Sequence, residues 1–376
     1  MGPAHGARRK GDDIPVDLTH IDTTAFENRR ERLKTLLVEQ GIPALLVSFA
    51  ANRYYLSGFE LFDSQCNESV GWLVITASGR DALFTDPRFT DAAARLWPVE
   101  DLCIYGAGKH AAMAEFLKGR GVATLGFDPK AISVFDHEKR REHFELVSAE
   151  GLVERLRRIK EPAEVELLRA ACGLNHRVMR ALPDILVPGM TEAEAAWQIE
   201  RMFRELGAEG MSFPSIVGVG KNAALPHAIP GDTPIRDNDL VLVDTGCRLN
   251  GYCSDQTRTF WVGREPSERF QETKRLVIAA QKAGMEAIRP GVAFAEAYHA
   301  ARRVFEEAGV AAQFTHSLGH GIGLETHEPP SLAPRAEGVF QPGMVVTAEP
   351  GLYDPNWGGI RWEYMVLVTE DGCKAL

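Results

Sequence analysis

Residues 240–260 read LVLVDTGCRLNGYCSDQTRTF. The apolar run at the start of this stretch is typical of a buried strand and ends at Asp244, where a carboxylate is costly unless it is paired or metal-bound. Asp255 follows eleven residues later, and the glycine and asparagine residues between the two aspartates favour a turn. We therefore expect two adjacent strands that fold back on each other and bring Asp244 and Asp255 together.

Three further residues of metal-binding type follow downstream. His320 lies in the sequence GHGIG at 319–323, where glycines permit a close backbone approach. Glu349 ends the strand-like run VVTAE. Glu363 follows Arg361 at a spacing of two residues, which would place both side chains on one face of a strand.

Each of these residues alone is equally well explained as a turn cap, a surface group or a structural histidine. As a set, four carboxylates and one imidazole can hold two divalent cations, with two of the carboxylates bridging. Oxygen-rich ligation favours Mn²⁺, and the histidine leaves Co²⁺ or Zn²⁺ as alternatives. Two such ions about 3.5–4 Å apart can activate water and polarise a carbonyl group.

The length of 376 residues favours two domains. Residues 1–20 are polar and are expected to form a flexible tail. Residues 21–150 have the pattern of an N-terminal α/β domain, in which strands alternate with helices. One helix and four strands are predicted in it, at residues 25–40, 43–49, 71–76, 82–85 and 121–127.

The pattern changes near residue 150, where a charged helical segment, 152–171, leads into a second domain over 151–376. This domain is expected to be α+β, with helices at residues 191–206, 268–287 and 293–308. Strands are predicted at residues 240–244, 257–262, 344–349 and 361–368. Helices followed by strands, twice over, suggest a duplicated unit without a close sequence repeat.

Composition restricts the partners. Lys plus Arg number 42 and Asp plus Glu number 52, so the formal net charge of −10 disfavours nucleic-acid binding. No apolar run reaches the roughly 18 residues of a membrane span, so no membrane partner is expected. The scattered cysteines form no Cys-x-x-Cys pair, which favours free thiols and a cytoplasmic location. They are Cys66, Cys103, Cys172, Cys247, Cys253 and Cys373.

Short motifs spread over the second half carry a family resemblance. They are FPSIV at 213–217, LPH at 225–227, VDTG at 243–246, GYCSDQTRTF at 251–260, GHGIGL at 319–324, HE at 327–328, EPG at 349–351 and GIR at 359–361. In this order they resemble the metallopeptidase family that contains methionine aminopeptidase, aminopeptidase P and prolidase. The resemblance implies a pita-bread (creatinase/aminopeptidase-like) catalytic domain.

The first half has a weaker resemblance to the extra, creatinase-like N-terminal domain of the proline-specific members. It is carried by RYYLSGF at 53–59 and TDPRF at 85–89. Methionine aminopeptidases lack this domain, so the resemblance favours the prolidase and aminopeptidase P branch. It also implies a homodimer, in which the N-terminal domain closes the site of the neighbouring subunit.

The resemblance implies a role for each candidate ligand. Asp244 should bind one metal ion and His320 the other, while Asp255 and Glu363 bridge them. Glu349 should bind the second ion and also act as a catalytic proton shuttle.

Three other residues acquire roles by the same matching. His227 and His327 are expected to contact the substrate and stabilise the tetrahedral oxyanion at the scissile carbonyl. Arg361 is expected to hold the active-site glutamates and one end of the substrate.

The expected activity is that of a Xaa-Pro dipeptidase, which hydrolyses the peptide bond preceding proline. Prolidases carry an arginine that grips the carboxylate of the dipeptide, and Arg335 lies at the matching offset before Glu349. The alternative interpretation makes Arg335 a solvated loop residue and the protein an aminopeptidase P that accepts longer proline-containing peptides.

One residue departs from the family pattern. The position after the bridging glutamate is usually aspartate, and here it is Tyr364. Because alternation along a strand would direct Tyr364 away from Glu363, the sequence leaves open whether Tyr364 affects packing, the pocket or a subunit contact. A non-catalytic pita-bread binding protein and a metal-free creatinase-type hydrolase are both disfavoured, because the complete ligand set is present.

Overall fold

The computed structural model describes residues 21–63 and 68–376. The predicted tail at 1–20 and Cys66 therefore lie outside the described residues. Within the described ranges, no helix is both long enough and apolar enough to cross a bilayer. The other five cysteines are free thiols, as predicted.

The first half is built on a six-stranded mixed sheet with the strand order β4-β3-β2-β1-β5-β6. Its strands β1 to β6 are Ala44–Val47, Gly71–Thr76, Ala82–Thr85, Leu102–Ile104, Thr124–Phe127 and Glu145–Ser148. The helices α1 to α5 are Thr23–Glu39, Ala50–Ser57, Thr90–Ala94, Lys109–Lys118 and Val134–Arg141. The predicted α/β character of this half is confirmed.

Burial explains why this sheet has helices on both faces. Strands β1, β2 and β3 are buried at every position, so neither face can be left to solvent. Leu33 and Leu37 of α1 pack in one apolar cluster with Leu45. Met113 and Leu117 of α4 pack in another, which contains residues of the opposite parity along the strands.

Five helices and thirteen strands form the second half of the described chain. The helices α6 to α10 are Leu152–Arg157, Pro162–Ile185, Glu192–Glu205, Glu268–Ala287 and Phe294–Glu307. The strands β7 to β12 are Gly210–Met211, Ile216–Val219, Asp239–Thr245, Cys247–Leu249, Tyr252–Cys253 and Gln256–Val262. The strands β13 to β19 are His320–Gly321, Glu328–Ser331, Val345–Ala348, Gly351–Asp354, Gly358–Arg361, Tyr364–Val368 and Cys373–Ala375.

The helices of the second half pack as pairs against antiparallel strands. The order β12-β9-β8 forms one sheet and the order β14-β13-β15-β18-β19 forms another. Phe203 of α8 lies in one apolar cluster with Val243 of β9. Phe305 of α10 lies in a second cluster with Val346 of β15. This repeated packing of a helix pair on strands agrees with the α+β expectation.

One strand prediction is wrong. The segment 361–368 is not a single strand, because Trp362 and Glu363 lie between β17 and β18 and belong to neither strand. Arg361 pairs with β16, whereas Tyr364 pairs with β15 in a different sheet. Alternation along one strand therefore does not relate Arg361 to Glu363, and tertiary hydrogen bonds set their positions instead.

A buried ionic cluster joins the two halves through α6. The Arg157 guanidinium donates to Asn52 Oδ1 at 2.7 Å, to Glu325 Oε2 at 2.7 Å, and to Glu328. Lys160 Nζ also donates to Glu328, at 2.5 Å. Burial by itself would raise the pKa of Glu328, but the charges of Lys160 and Arg157 outweigh burial and lower it. The carboxylate is therefore ionised and depends on its two cations.

We predict that Arg157→Met costs about 3–5 kcal/mol in the free energy of unfolding, because it removes one of the two cations that neutralise the buried Glu328 carboxylate. Urea unfolding followed by circular dichroism measures the loss. The matched control is Arg204→Met, which removes an exposed pair with Glu200 at 2.9 Å. The control should cost less than about 0.5 kcal/mol. Equal losses in both variants would contradict the role given to the buried cluster.

Candidate metal centre

The two aspartates are brought together by an antiparallel ladder, as the sequence predicts. Asp244 lies opposite Thr257 in the pairing of β9 with β12, and Asp255 directly precedes β12. The close approach of the two arms needs a glycine between β9 and β10, because a Cβ atom on Gly246 would lie 1.8 Å from the carbonyl oxygen of Ser254. The local fold therefore brings the buried side chains of Asp244 and Asp255 close together.

Asp244, Asp255 and Glu363 form a compact acidic cluster. One carboxylate oxygen from each lies within 4.8 Å of the others, and all three residues are buried. Burial raises the pKa of Asp255 well above its usual value, and the neighbouring carboxylates of Glu363 and Asp244 raise it further. Burial likewise raises the pKa of Glu363 well above its usual value, and the carboxylates of Glu349 and Asp244 raise it further. Unneutralised negative charge in this cluster is therefore costly.

His320 and Glu349 border the cluster as an ion pair. His320 Nε2 lies 3.2 Å from Glu349 Oε1 and 3.7 Å from Asp255 Oδ2. Burial would raise the pKa of Glu349, but the hydrogen bond and charge of His320 lower it to about 2. The same contact raises the pKa of His320 against the opposing effect of burial. All five predicted ligands are thus brought together.

The glycines around His320 permit this approach, as predicted. A Cβ atom on Gly319 would lie 2.1 Å from the carbonyl oxygen of Thr347, and one on Gly321 would lie 2.4 Å from that of Pro329. Both distances are too short for any side chain. The strand that carries His320 can therefore lie against its neighbours only with glycine at these positions.

The donor set fits divalent metal ions. Among the described residues, Asp244 Oδ1, Asp255 Oδ1 and Glu363 Oε1 are buried and have no hydrogen-bond partner. Buried carboxylate oxygens without a partner are unfavourable, whereas oxygen donors together with one imidazole are suitable ligands for divalent cations. Bound cations would satisfy these oxygens and remove the repulsion between the carboxylates.

Arg361 holds the other side of the acidic cluster. Its Nη2 donates to Asp244 Oδ2 at 2.7 Å, and its Nε donates to Thr257 Oγ1 at 3.0 Å. Thr257 Oγ1 in turn donates to Glu363 Oε2 at 2.7 Å. Arg361 therefore contacts an aspartate directly and reaches a glutamate through a hydroxyl group.

Two residues of this network were not predicted from the sequence. Tyr353 Oη accepts a hydrogen bond from Arg361 Nη1 at 2.9 Å and lies 2.8 Å from His316 Nε2. His316 precedes His320 by four residues, and this spacing is the signal that could have identified it. Tyr353 is recognised only from the fold.

A cavity of about 440 Å³ opens beside the acidic cluster. His227 and His327 are exposed and line it, and the rings of His320 and His327 meet edge to face at a centroid distance of 4.2 Å. Apolar side chains form much of the remaining wall: Phe213, Pro214, Ile216, Pro226, Ala228, Ile229 and Pro230. The cavity thus combines an acidic floor, exposed imidazoles and an apolar wall.

Arg335 is not part of this cavity. It is exposed in a turn between β14 and β15 and does not line the cavity wall. The described chain therefore places the proposed carboxylate clamp away from the other predicted site residues.

Comparisons with known proteins agree with this geometry. Residues 166–370 match metallopeptidase family M24, and residues 29–159 match the creatinase/prolidase N-terminal domain. The chain is 34% identical to a Xaa-Pro dipeptidase of Pyrococcus furiosus over 353 residues, which cover 93% of this chain and 98% of that protein.

Solved structures give the same relationship. A Xaa-Pro dipeptidase from Bacillus anthracis superposes with a TM-score of 0.86 at 33% identity, covering 93% of this chain and 97% of that one. An X-Pro aminopeptidase from Thermotoga maritima superposes with a TM-score of 0.83 at 29% identity, covering 92% and 96%. The predicted fold class, an α/β N-terminal domain followed by a pita-bread catalytic domain, is confirmed. The chain belongs to metallopeptidase family M24.

Proposed function

We propose that the protein is a metal-dependent Xaa-Pro dipeptidase, which hydrolyses the peptide bond preceding a C-terminal proline. The observation that carries this proposal is the buried acidic cluster with unpartnered oxygens at the floor of an apolar cavity. The apolar wall suits a pyrrolidine ring, because apolar surface is best buried against apolar surface. Relatives named as Xaa-Pro dipeptidases match nearly the whole chain, which supports the same activity.

Two divalent cations complete the site in this proposal. Asp244 would hold one cation, His320 and Glu349 would hold the other, and Asp255 and Glu363 would be shared between the two. Mn²⁺ is the expected metal, with Co²⁺ or Zn²⁺ as alternatives. When bound, the cations supply Lewis-acid polarisation of the scissile carbonyl and activation of the attacking water.

The side chains of the protein move protons and orient the substrate. The pairing with His320 lowers the pKa of Glu349 and keeps it ionised, so its carboxylate is available to accept a proton from the attacking water. It passes that proton to the leaving imino nitrogen of proline. His227 and His327 line the cavity, where an imidazole N–H can donate to the oxyanion. Arg361 orients Asp244 by donating to its carboxylate.

The main alternative within the family is an aminopeptidase P that accepts longer peptides. Two observations favour it: Arg335 does not line the cavity, and an X-Pro aminopeptidase is among the similar structures. A dipeptide presents a carboxylate next to the cleaved bond, whereas a longer peptide does not. Recognition of that carboxylate therefore separates the two activities.

We further propose a division into an N-terminal domain at 21–150 and a catalytic domain at 151–376, in a cytoplasmic homodimer. The sheet order supports this division, because the strands up to β6 form one sheet and those from β7 onward form others. The free thiols of the described cysteines support a reducing compartment. Short proline-containing peptides are the expected partners.

Hydrolysis of Ala-Pro and Ala-Pro-Ala tests the proposed activity. With Mn²⁺ present, kcat/KM for the dipeptide should exceed that for the tripeptide by about tenfold or more, the value of one charge-assisted hydrogen bond. Chelator should abolish both reactions, and Ala-Ala serves as the control for proline specificity. Equal or faster cleavage of Ala-Pro-Ala would instead identify the protein as an aminopeptidase P. Absence of cleavage with metal present would exclude both activities.

Arg335→Ala tests the carboxylate clamp. If Arg335 reaches the dipeptide, its removal should raise KM for Ala-Pro about 10–100-fold, the range of a hydrogen bond to a charged group, and leave Ala-Pro-Ala unchanged. Arg303→Ala on α10 is the matched control, since Arg303 is also an exposed arginine. A KM for Ala-Pro within twofold of the control would reduce Arg335 to a surface residue.

Glu363→Gln separates stability from activity. Because the substitution removes one of three repelling buried carboxylates, the metal-free protein should have an unchanged or higher Tm. Activity with Mn²⁺ should fall by more than about 100-fold, beyond what the loss of an outer-shell partner causes. Differential scanning calorimetry and the Ala-Pro assay measure the two effects. The surface variant Glu370→Gln should change neither, and a lower Tm of metal-free Glu363→Gln would argue against repulsion in the cluster.

A further inference from the structure

Arg258 occupies an unusual environment beside the metal centre. It lies on β12, is 9% exposed, and has its guanidinium carbon 4.4 Å from the ring centroids of both Trp362 and Tyr364. Among the described residues, it forms no ion pair with a carboxylate within 4 Å. The positive charge is therefore met by two aromatic faces and by main-chain carbonyl groups.

The carbonyl partners of Arg258 belong to the metal centre. Its Nη1 donates to the carbonyl oxygen of Thr257 at 2.7 Å and to that of Glu363. The Glu363 N–H donates to the same Thr257 carbonyl at 3.2 Å. Glu363 lies between β17 and β18 and belongs to neither strand. Both of its main-chain polar groups are thus bonded to the adjacent residues Thr257 and Arg258 of β12.

These hydrogen bonds set the position of one candidate ligand, Glu363, relative to another, Asp255. Asp255 directly precedes β12, the strand on which Thr257 and Arg258 lie. Glu363 has no strand neighbours of its own, so its position relative to Asp255 depends on these hydrogen bonds and on the bond from Thr257 Oγ1 to its carboxylate. A shift of the Glu363 main chain would move its oxygen relative to the other carboxylates.

We propose that Arg258 is a positioning residue that fixes Glu363 for metal binding, and that Trp362 and Tyr364 hold its guanidinium. The proposal rests on the proposed function, since it assumes that the acidic cluster binds metal. It also gives Tyr364 a role at the position where the family resemblance predicts aspartate. An aspartate would meet the guanidinium with a negative charge, and tyrosine meets it with a ring face.

Titration of the chelator-treated full-length protein with Mn²⁺ in an isothermal calorimeter tests the proposal. Arg258→Met keeps the length of the side chain but removes its donors, and should weaken Mn²⁺ binding about 10–100-fold, as the loss of an outer-shell partner does. Lys274→Met is the matched control, because Lys274 Nζ also lies over the Trp362 ring, at 4.6 Å, without bonding Glu363. The control should retain wild-type affinity.

Substitutions at Tyr364 provide a test that leaves Arg258 in place. Tyr364→Leu removes the ring face and should weaken Mn²⁺ binding, whereas Tyr364→Asp should restore it to within about threefold of wild type through an ion pair. Equal weakening by both substitutions would overturn the role of the guanidinium. If Arg258→Met does not fold, as judged by circular dichroism, the Tyr364 pair decides the question.

The two proposals fail in different ways. If the wild-type protein binds none of Mn²⁺, Co²⁺ and Zn²⁺, the proposed metallopeptidase function is wrong. If the wild type binds Mn²⁺ and cleaves Ala-Pro but folded Arg258→Met and Tyr364→Leu bind Mn²⁺ as tightly as wild type, the positioning role alone is wrong.

Discussion

Repulsion between buried carboxylates is the constraint on which the catalytic half depends. Asp244, Asp255 and Glu363 hold oxygens within 4.8 Å of one another, in a place where burial already disfavours their charges. The fold opposes this repulsion with a ladder of paired strands, with Arg361 on one side and with His320 on the other. Stability is thus given up locally so that a highly charged ligand can be bound, as is common at functional sites.

Sequence reasoning succeeded where local chain geometry decides the outcome. Asp244 and Asp255 lie on the two arms of a hairpin. The arms can approach closely because residue 246 is glycine, where a Cβ atom would clash with Ser254, so the proximity of the two aspartates follows from residues close in the chain. The same holds for His320, whose glycine neighbours permit contact with adjacent strands. Helices with clear periodicity, such as Glu268–Ala287, were likewise predicted from local pattern alone.

The failures arise where distant segments decide the geometry. Glu363 was assigned to a strand because its neighbours alternate, yet hydrogen bonds to Thr257 and Arg258, over 100 residues away, take it out of the ladder. Tyr353, on β16, joins the site only through the fold, by its contacts with Arg361 and His316. In the first half, short helices such as Ala50–Ser57 were not predicted, because their apolar residues form no long periodic run.

The charge cluster between the halves has a consequence for synthesis of the chain. Arg157 and Lys160 leave the ribosome well before Glu325 and Glu328, which supply their carboxylate partners. Domains generally fold as units, N-terminal first, during translation. Until Glu325 and Glu328 are synthesised, Arg157 and Lys160 carry charges that these carboxylates do not yet neutralise. The charges keep the future interface of the N-terminal domain hydrated. Premature apolar docking is discouraged until the partner segment has emerged.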